Sequence, residues 1–289
     1  MKGIILAAGK GSRLYPITYP VCKPLLPVYD KPLIYYPLSV LMKAGVRDIL
    51  VIIPPDEEHP FRNLLGDGSD FGIHIEYREQ KVQRGIADAF IIGEEFIGND
   101  SVCLCLGDNI FFGPSFRLKL QQARAIREGA VIFGYYVQDP RAFGVVEFDE
   151  NGKALSIEEK PSHPKSNFIV PGLYFYDNQV VDIAKNIKPS ARGELEITDV
   201  NNAYLDQGKL HVITLGEEYT WFDAGTADSL FDAAGVIKMV QRSGHMIACP
   251  EEKAIQNGWI TPQQLKARAE DLKKTNYGRY LYGILGDYA

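Results

Sequence analysis

The residues that could do chemistry here are cations and carboxylates, and most of them follow an apolar run or a rigid segment. Ala7-Ala8-Gly9-Lys10-Gly11-Ser12-Arg13 comes directly after one such run. Small residues let backbone N–H groups approach phosphate oxygens, and Lys10 and Arg13 add positive charge at the same place. Only Gly9 and Gly11 fit the G-x-G-x-x-G dinucleotide fingerprint, and no Walker-type Gly-Lys-Ser/Thr occurs there. Further on, Lys23-Pro24-Leu25-Leu26-Pro27 sets two prolines around two leucines, a stiff frame for Lys23. Asp108, in Gly107-Asp108-Asn109, closes another apolar run. In open α/β sheets ligands bind beyond the carboxyl ends of the strands. A carboxylate there suits Mg²⁺, which prefers carboxylate, water and phosphate oxygens. Asp223, in Trp221-Phe222-Asp223-Ala224-Gly225-Thr226, is a second acidic candidate. One carboxylate makes a weak magnesium site, whereas two that converge beside substrate phosphates make a competent one. Glu158-Glu159-Lys160-Pro161 and Ala191-Arg192-Gly193-Glu194 read alone as surface charge and gain weight only with the others.

Bringing such residues together requires a framework of strands and helices. Strands are expected at 4–7, 49–53, 73–77 and 102–106, with helices at 32–44 and 85–95. This alternation implies a mostly parallel sheet covered by helices. After about residue 130 strands dominate, at 131–137, 143–148, 154–158 and 173–176, with Asp149-Glu150-Asn151-Gly152 as a turn between two of them. A helix at 196–205, a strand at 210–215 and mainly helical patterns from Ala227 complete the chain. Thr261-Pro262 opens one of these helices, with Thr as N-cap and Pro in the first turn. The expected plan is an α/β catalytic domain over 1–226 and a helical C-terminal appendage over 227–289.

The 289 residues are 46% hydrophobic and 24% charged, which fits a globular chain with a sizeable core. A net charge of −6 and the lack of a basic stripe argue against nucleic-acid partners. Four cysteines make no CxxC pair; Cys103 and Cys105 alternate within an apolar run and should face one side of a strand. No apolar run has transmembrane length and no leader pattern precedes the first strand, so the expectation is a soluble cytoplasmic protein with no membrane partner.

As a set, these residues resemble the sugar nucleotidylyltransferase family, and within it the glucose-1-phosphate thymidylyltransferases. The likeness runs almost end to end. It includes Met1-Lys2-Gly3-Ile4-Ile5-Leu6-Ala7, Tyr29-Asp30-Lys31-Pro32, Leu64-Leu65-Gly66-Asp67-Gly68, Gly107-Asp108-Asn109-Ile110-Phe111, Gly144-Val145-Val146-Glu147-Phe148-Asp149 and Cys249-Pro250-Glu251-Glu252. Ser190-Ala191-Arg192-Gly193-Glu194-Leu195-Glu196-Ile197-Thr198-Asp199 is especially distinctive. The resemblance implies a Rossmann-like nucleotidyltransferase fold with a central mixed sheet, Mg²⁺ as cofactor, dTTP and glucose 1-phosphate as substrates, and a homotetramer. It implies that Leu6, Ala8, Gly9, Gly11, Ser12 and Arg13 hold the nucleotide, with Arg13 and Lys23 on the triphosphate. Gln80 and Gly85 would contact the base, and Asp108 and Asp223 would ligate the metal. Asn109, Gly144, Glu159 and Val170 would hold the sugar, and Lys160 and Arg192 its phosphate. Arg13, Lys23, Asp108 and Lys160 would carry catalysis.

Several positions depart from the usual pattern. Ala8 replaces a Gly, Ser12 a Thr, Pro24 a Gln, Phe143 a Tyr and Pro171 a Thr, and Lys81-Val82-Gln83-Arg84 replaces Pro-Ser-Pro-Asp. These changes bear on nucleotide and sugar choice, so UTP or another hexose 1-phosphate stands as the alternative substrate. A catalytically silent regulatory relative would normally lack Arg13, Lys23, Asp108 or Asp223, and all are present. The resemblance also implies an inhibitory nucleotide-sugar site just after Cys249-Pro250-Glu251-Glu252. There Lys253 and Gln256 stand in place of the usual Ile and Arg. Gln cannot grip a diphosphate as Arg does, so weak inhibition by dTDP-rhamnose is expected.

Overall fold

The computed structural model describes residues 1–288. The first strands along the chain are β1 (Lys2–Leu6), β2 (Pro27–Val28), β3 (Lys31–Pro32), β4 (Asp48–Ile53), β5 (His74–Glu79) and β6 (Val102–Leu106). Then come β7 (Asn109–Phe112), β8 (Ala130–Tyr136), β9 (Gly144–Phe148), β10 (Ala154–Glu159), β11 (Phe168–Ile169), β12 (Leu173–Tyr176), β13 (Leu210–Leu215) and β14 (Thr220–Asp223). The central sheet runs β10-β9-β11-β8-β12-β6-β1-β4-β5, and β13 also pairs with β8. β6, β1, β4 and β5 are mutually parallel, as the alternating first half of the sequence implies. β12 then runs antiparallel to both β6 and β8, which makes the sheet mixed.

Side chains alternate between two apolar cores, one on each face of the sheet. Ile5, Ile49, Val51, Ile53, Cys103 and Cys105 enter one core, while Ile4, Leu50, Ile52, Val102 and Leu104 enter the other. A strand covered on both faces needs no polar alternation, which is why Ile49 to Ile53 read as one unbroken apolar run. Cys103 and Cys105 do share a face, and burial pushes both thiols well above their usual range. The first core is covered by α1 (Tyr35–Lys43), α2 (Glu58–Leu65) and later helices. The second is covered by α3 (Asp88–Ile92) and α4 (Glu94–Ile97). α5 (Phe116–Ala125) joins the first core; α6 (Val180–Asn186) and α7 (Ile197–Asp206) join the second.

The C-terminal helices are α8 (Ala227–Arg242), α9 (Pro250–Gln256), α10 (Pro262–Asp271) and α11 (Asn276–Leu285). Ala254, Leu265, Tyr277 and Leu281 lie in the same core as Ile5 and Val51. α8 instead packs with Val28, Tyr36 and Ile110. Thr261 caps α10 as expected: its Oγ1 accepts from Gln264 N at 3.2 Å, and Gln264 Oε1 accepts from Thr261 N at 2.8 Å.

Some expectations differ from the structure. The helix expected at 32–44 begins only at Tyr35, because Pro32 pairs with Pro27 in a short ribbon. The helix expected at 85–95 begins only at Asp88 and is interrupted at Gly93. Gly85 has φ +97°, outside helical space, and a Cβ there would lie 2.5 Å from Leu195 O. The ribbon of β7 and β14 was not foreseen from the sequence, although it carries the chemistry described next.

Candidate active site

β1 and β6 lie side by side and end at the same edge of the sheet. Gly107 N donates to Leu6 O at 2.9 Å, and a Cβ on Gly107 would lie 2.9 Å from that oxygen and 3.0 Å from Ala7 Cα. Only glycine lets the turn carrying Asp108 lie this close to the loop that follows β1. The β7–β14 ribbon then pairs Asn109 with Asp223, and Ala224 N donates to Asp108 O at 3.1 Å. Two carboxylates far apart in sequence thus converge.

Cations surround that pair. Lys23 is 7% exposed, and its Nζ lies 2.5 Å from Asp108 Oδ2 and 3.9 Å from Asp223 Oδ1. Arg13 lies 4.0 Å from Asp223 Oδ2. Gly11 adopts φ +61°, and a Cβ there would press to 3.1 Å from Lys23 Cβ, so the loop is folded against the lysine stem. Asn109 lines the cavity, but its amide is engaged within the protein. Its Nδ2 donates to Asp108 Oδ1 at 2.8 Å; its Oδ1 accepts from Trp221 Nε1 at 2.6 Å and Gly172 N at 3.0 Å. Burial, and then the charge of Asp108, raise the Asp223 carboxyl above its usual range, against the pull of Lys23, Arg13 and Lys160. Asp223 Oδ1 is buried without a hydrogen-bond partner.

These residues fit a hard divalent cation. Two facing carboxylates repel one another, and an orphaned buried oxygen calls for a partner. Among the described residues no group of three or more His, Cys, Asp or Glu gathers. The remaining ligand positions would fall to water and phosphate oxygens, as Mg²⁺ prefers.

The pair lines a cavity of about 600 Å³ that Gly144, Glu159, Lys160, Val170 and Arg192 also line. Glu159 Oε2 accepts from Thr198 Oγ1 at 2.6 Å. Arg192 is ringed by carboxylates, at 2.8 Å from Glu196, 3.3 Å from Glu194 and 3.5 Å from Glu159. Lys160 holds φ +46° and is fixed by its N–H, which donates to Phe143 O at 3.0 Å. A Cβ on Gly144 would approach Thr198 Oγ1 to 3.1 Å, so glycine keeps this wall open.

Gln80 and Gly85 do not line that cavity, nor do Leu6, Ala8, Gly9, Gly11 and Ser12, although Ile86 and Arg13 beside them do. The two groups are nevertheless joined to each other, because Gln83 Nε2 donates to Ala8 O at 2.9 Å. Sequence reasoning did not single out Gln83, Asp88 or Thr198, or the bond from Trp221 to Asn109. Trp221 lay inside a quoted segment, but nothing local signals its partner.

A second cavity of about 180 Å³ is lined by Lys43, Arg117, Lys253 and Gln256. Lys253 Nζ donates to Gln256 Oε1 at 2.8 Å, and Gln256 Nε2 to Glu252 Oε1 at 2.8 Å. Burial, and then the charge of Lys253, push the Lys43 ammonium down to about 8.

A mixed α/β sheet with a cation-bearing loop, paired carboxylates, and Lys160 and Arg192 lining the same cavity suits the handling of phosphates. The chain belongs to the Nucleotidyl transferase family, whose pattern residues 2–239 match. It is 60% identical over 287 residues to the glucose-1-phosphate thymidylyltransferase of Neisseria gonorrhoeae, covering 99% of this chain and 100% of that one. It is 54% identical over 286 residues to the protein of that name in Mycobacterium tuberculosis H37Rv, covering 99% of each. Among solved structures, a putative glucose-1-phosphate thymidylyltransferase from Bacillus anthracis in complex with a sucrose matches with TM-score 0.76. Its identity is 44%, over 82% of this chain and 94% of that one. A UDP-glucose pyrophosphorylase complexed with UDP-glucose, 22% identical, shares the fold with TM-score 0.71 over 82% of this chain and 98% of that one.

Proposed function

We propose that this protein transfers dTMP from dTTP to α-D-glucose 1-phosphate, forming dTDP-glucose and pyrophosphate. One observation carries the reading: Arg13, Lys160 and Arg192 line one cavity together with the carboxylate pair, and Lys23 is bonded to Asp108 of that pair. The reaction must bring two anions together, and cations gathered around one cavity offset their repulsion. A phosphate oxygen of the sugar 1-phosphate attacks the α-phosphorus of dTTP, that P–O bond forms as the bond to pyrophosphate breaks, and pyrophosphate leaves from the opposite side. The attacking phosphate is already deprotonated at neutral pH, so no general base is needed. Catalysis is then positioning and charge stabilisation.

In this reading the backbone of Leu6, Ala8, Gly9, Gly11 and Ser12 cradles the nucleotide, and Arg13 takes charge that develops on the leaving pyrophosphate. Gln80 and Gly85 meet the base. Gly144, Glu159 and Val170 hold the sugar, and Lys160 and Arg192 its phosphate. Asn109 serves the same wall and also orients Asp108. Asp108 and Asp223 would hold Mg²⁺, which when bound neutralises phosphate charge as a Lewis acid. The names borne by relatives at 54–60% identity over nearly the whole chain support the substrate pair. Residues 1–226 would form the catalytic part, and 227–289 a subunit-contact and regulatory region of a cytoplasmic homotetramer with no nucleic-acid or membrane partner. Among the described residues no helix is long and apolar enough to cross a membrane.

The test is pyrophosphate release measured over a matrix of nucleoside triphosphates and sugar 1-phosphates. dTTP should lead and UTP should follow at a lower rate, because contact with one thymine methyl is worth only about 1–3 kcal/mol.

A further inference from the structure

We infer that Asp88, braced by Arg84, sets which end of the Gln80 amide faces the nucleotide base and so selects bases carrying a ring N–H; this rests on the thymine-nucleotide function proposed for the site. Gln80 follows β5 at the edge where β1 and β4 also end. Gln83 ties its segment to the loop after β1. A nucleotide with its phosphates on that loop can therefore extend its base towards residues 80–85.

The Gln80 side chain is held in one orientation. Its Nε2 lies 3.0 Å from Asp88 Oδ2 and 3.4 Å from Gly85 O. Both neighbours are acceptors, so the NH₂ end must face them; a flipped amide would set its oxygen against a carboxylate and a carbonyl. Gln80 Oε1 accepts no hydrogen bond within the described residues. It is also absent from the buried unpaired atoms, which are Ser39 Oγ, Asn201 Nδ2 and Asp223 Oδ1. It is left as an open acceptor. Thymine and uracil present N3–H, a donor that this oxygen can meet. Cytosine presents an unprotonated N3, a second acceptor that it repels.

Asp88 is 1% exposed, a depth at which a carboxylate needs a partner. Arg84 supplies it, at 2.6 Å from Asp88 Oδ1, which leaves Oδ2 for Gln80. Leu195 N donates to Arg84 O at 2.6 Å and Ala87 N to Leu195 O at 3.2 Å, so the backbone around the pair is fixed as well. Asp88 is thus a positioning residue that acts through Gln80.

The experiment compares kcat/KM for dTTP, dCTP and N3-methyl-dTTP in the full-length enzyme and in Asp88→Ala, Asp88→Asn and Arg84→Ala. In the wild type dTTP should exceed both analogues. In Asp88→Ala, and in the isosteric Asp88→Asn should the alanine variant fail to fold, both preferences should shrink at least about tenfold, the worth of one well-placed hydrogen bond. The KM for glucose 1-phosphate should stay unchanged. Arg84→Ala should lower Tm and weaken the base preference in the same direction as the Asp88 variants, because Asp88 then lies buried without its cation. A wild-type preference that persists in the folded Asp88 variants, or an equal loss with all three nucleotides, overturns the role of Asp88 alone. A wild type that does not discriminate among the three overturns both this role and the thymine-nucleotide reading.

Discussion

Asp108 and Asp223 converge because a glycine and a short ribbon force them together, and each has a different environment. Asp108 is bonded to Lys23 and Asn109, whereas one oxygen of Asp223 is buried with nothing to meet it. Replacing either with Asn should lower kcat by at least about 100-fold, as for loss of a positioned electrostatic group. Pyrophosphate release at limiting Mg²⁺ checks this; near-wild-type turnover in both would refute the assignment. Lys160 and Arg192 should behave differently from each other. Truncating either should weaken glucose 1-phosphate binding by about 1.5–3 kcal/mol while leaving dTTP binding nearly unchanged by calorimetry. Arg192→Ala should also lower Tm, because Glu196, 7% exposed, loses the cation that balances it. Lys160→Ala should not, since its charge is half exposed and balances no deeply buried carboxylate. Most of the charges proposed to act were legible in the sequence because they stand after a strand or in a rigid frame, whereas Arg192 precedes a helix. Asn109 and Asp88 were not legible in their working roles. What defines them is a partner: Trp221 for Asn109, remote in sequence, and for Asp88 an amide whose orientation only the fold sets.

At the scale of elements, the sequence showed most clearly what hydrophobic burial dictates. Val102–Leu106 and Leu173–Tyr176 fall where their apolar runs predict, because burial on the sheet leaves no polar interruption to blur the ends, and Leu210–Leu215 falls where its apolar and polar residues alternate. The two strands of the β7–β14 ribbon have no such period to read, since each is four residues long and they pair from segments remote in sequence. The helix expected at 85–95 failed for a local reason. Its first residues are bonded to the Leu195 segment, and Gly85 takes a conformation no helix allows. Gly85→Ala should therefore destabilise the protein by about 1–3 kcal/mol and weaken dTTP binding, readable by urea denaturation and calorimetry. Unaltered stability would show that the Leu195 contact yields at little cost. The capping box of α10 was visible as Thr261-Pro262, and Thr261→Ala should cost about 1 kcal/mol in the same denaturation assay.

For the molecule as a whole, the helices after Ala227 pack on α1 and on the β2 and β14 segments, so a chain cut after residue 226 would expose the apolar faces around Tyr35 and Tyr36. Such a fragment should lose the cooperative thermal transition of the full chain, as followed by circular dichroism. One of these helices, α9, contributes Lys253 and Gln256 to the cavity that Lys43 and Arg117 also line. Inhibition by dTDP-rhamnose should be weak there, because Gln256 is neutral and Lys253 is already bonded to it and paired with Glu252. Titrating dTDP-rhamnose into an initial-rate assay tests this; strong inhibition, insensitive to substrate and abolished by Lys253→Ala, would mean that Lys253 serves the anion after all. The central claim concerns the reaction itself. Its most direct measurement is kcat/KM for pyrophosphate release across paired nucleoside triphosphates and sugar 1-phosphates, with Mg²⁺ present or chelated. The expected result is a maximum for dTTP with glucose 1-phosphate, UTP second, and loss of turnover without the metal. A maximum for ATP, GTP or CTP, or no release with any hexose 1-phosphate, would contradict it.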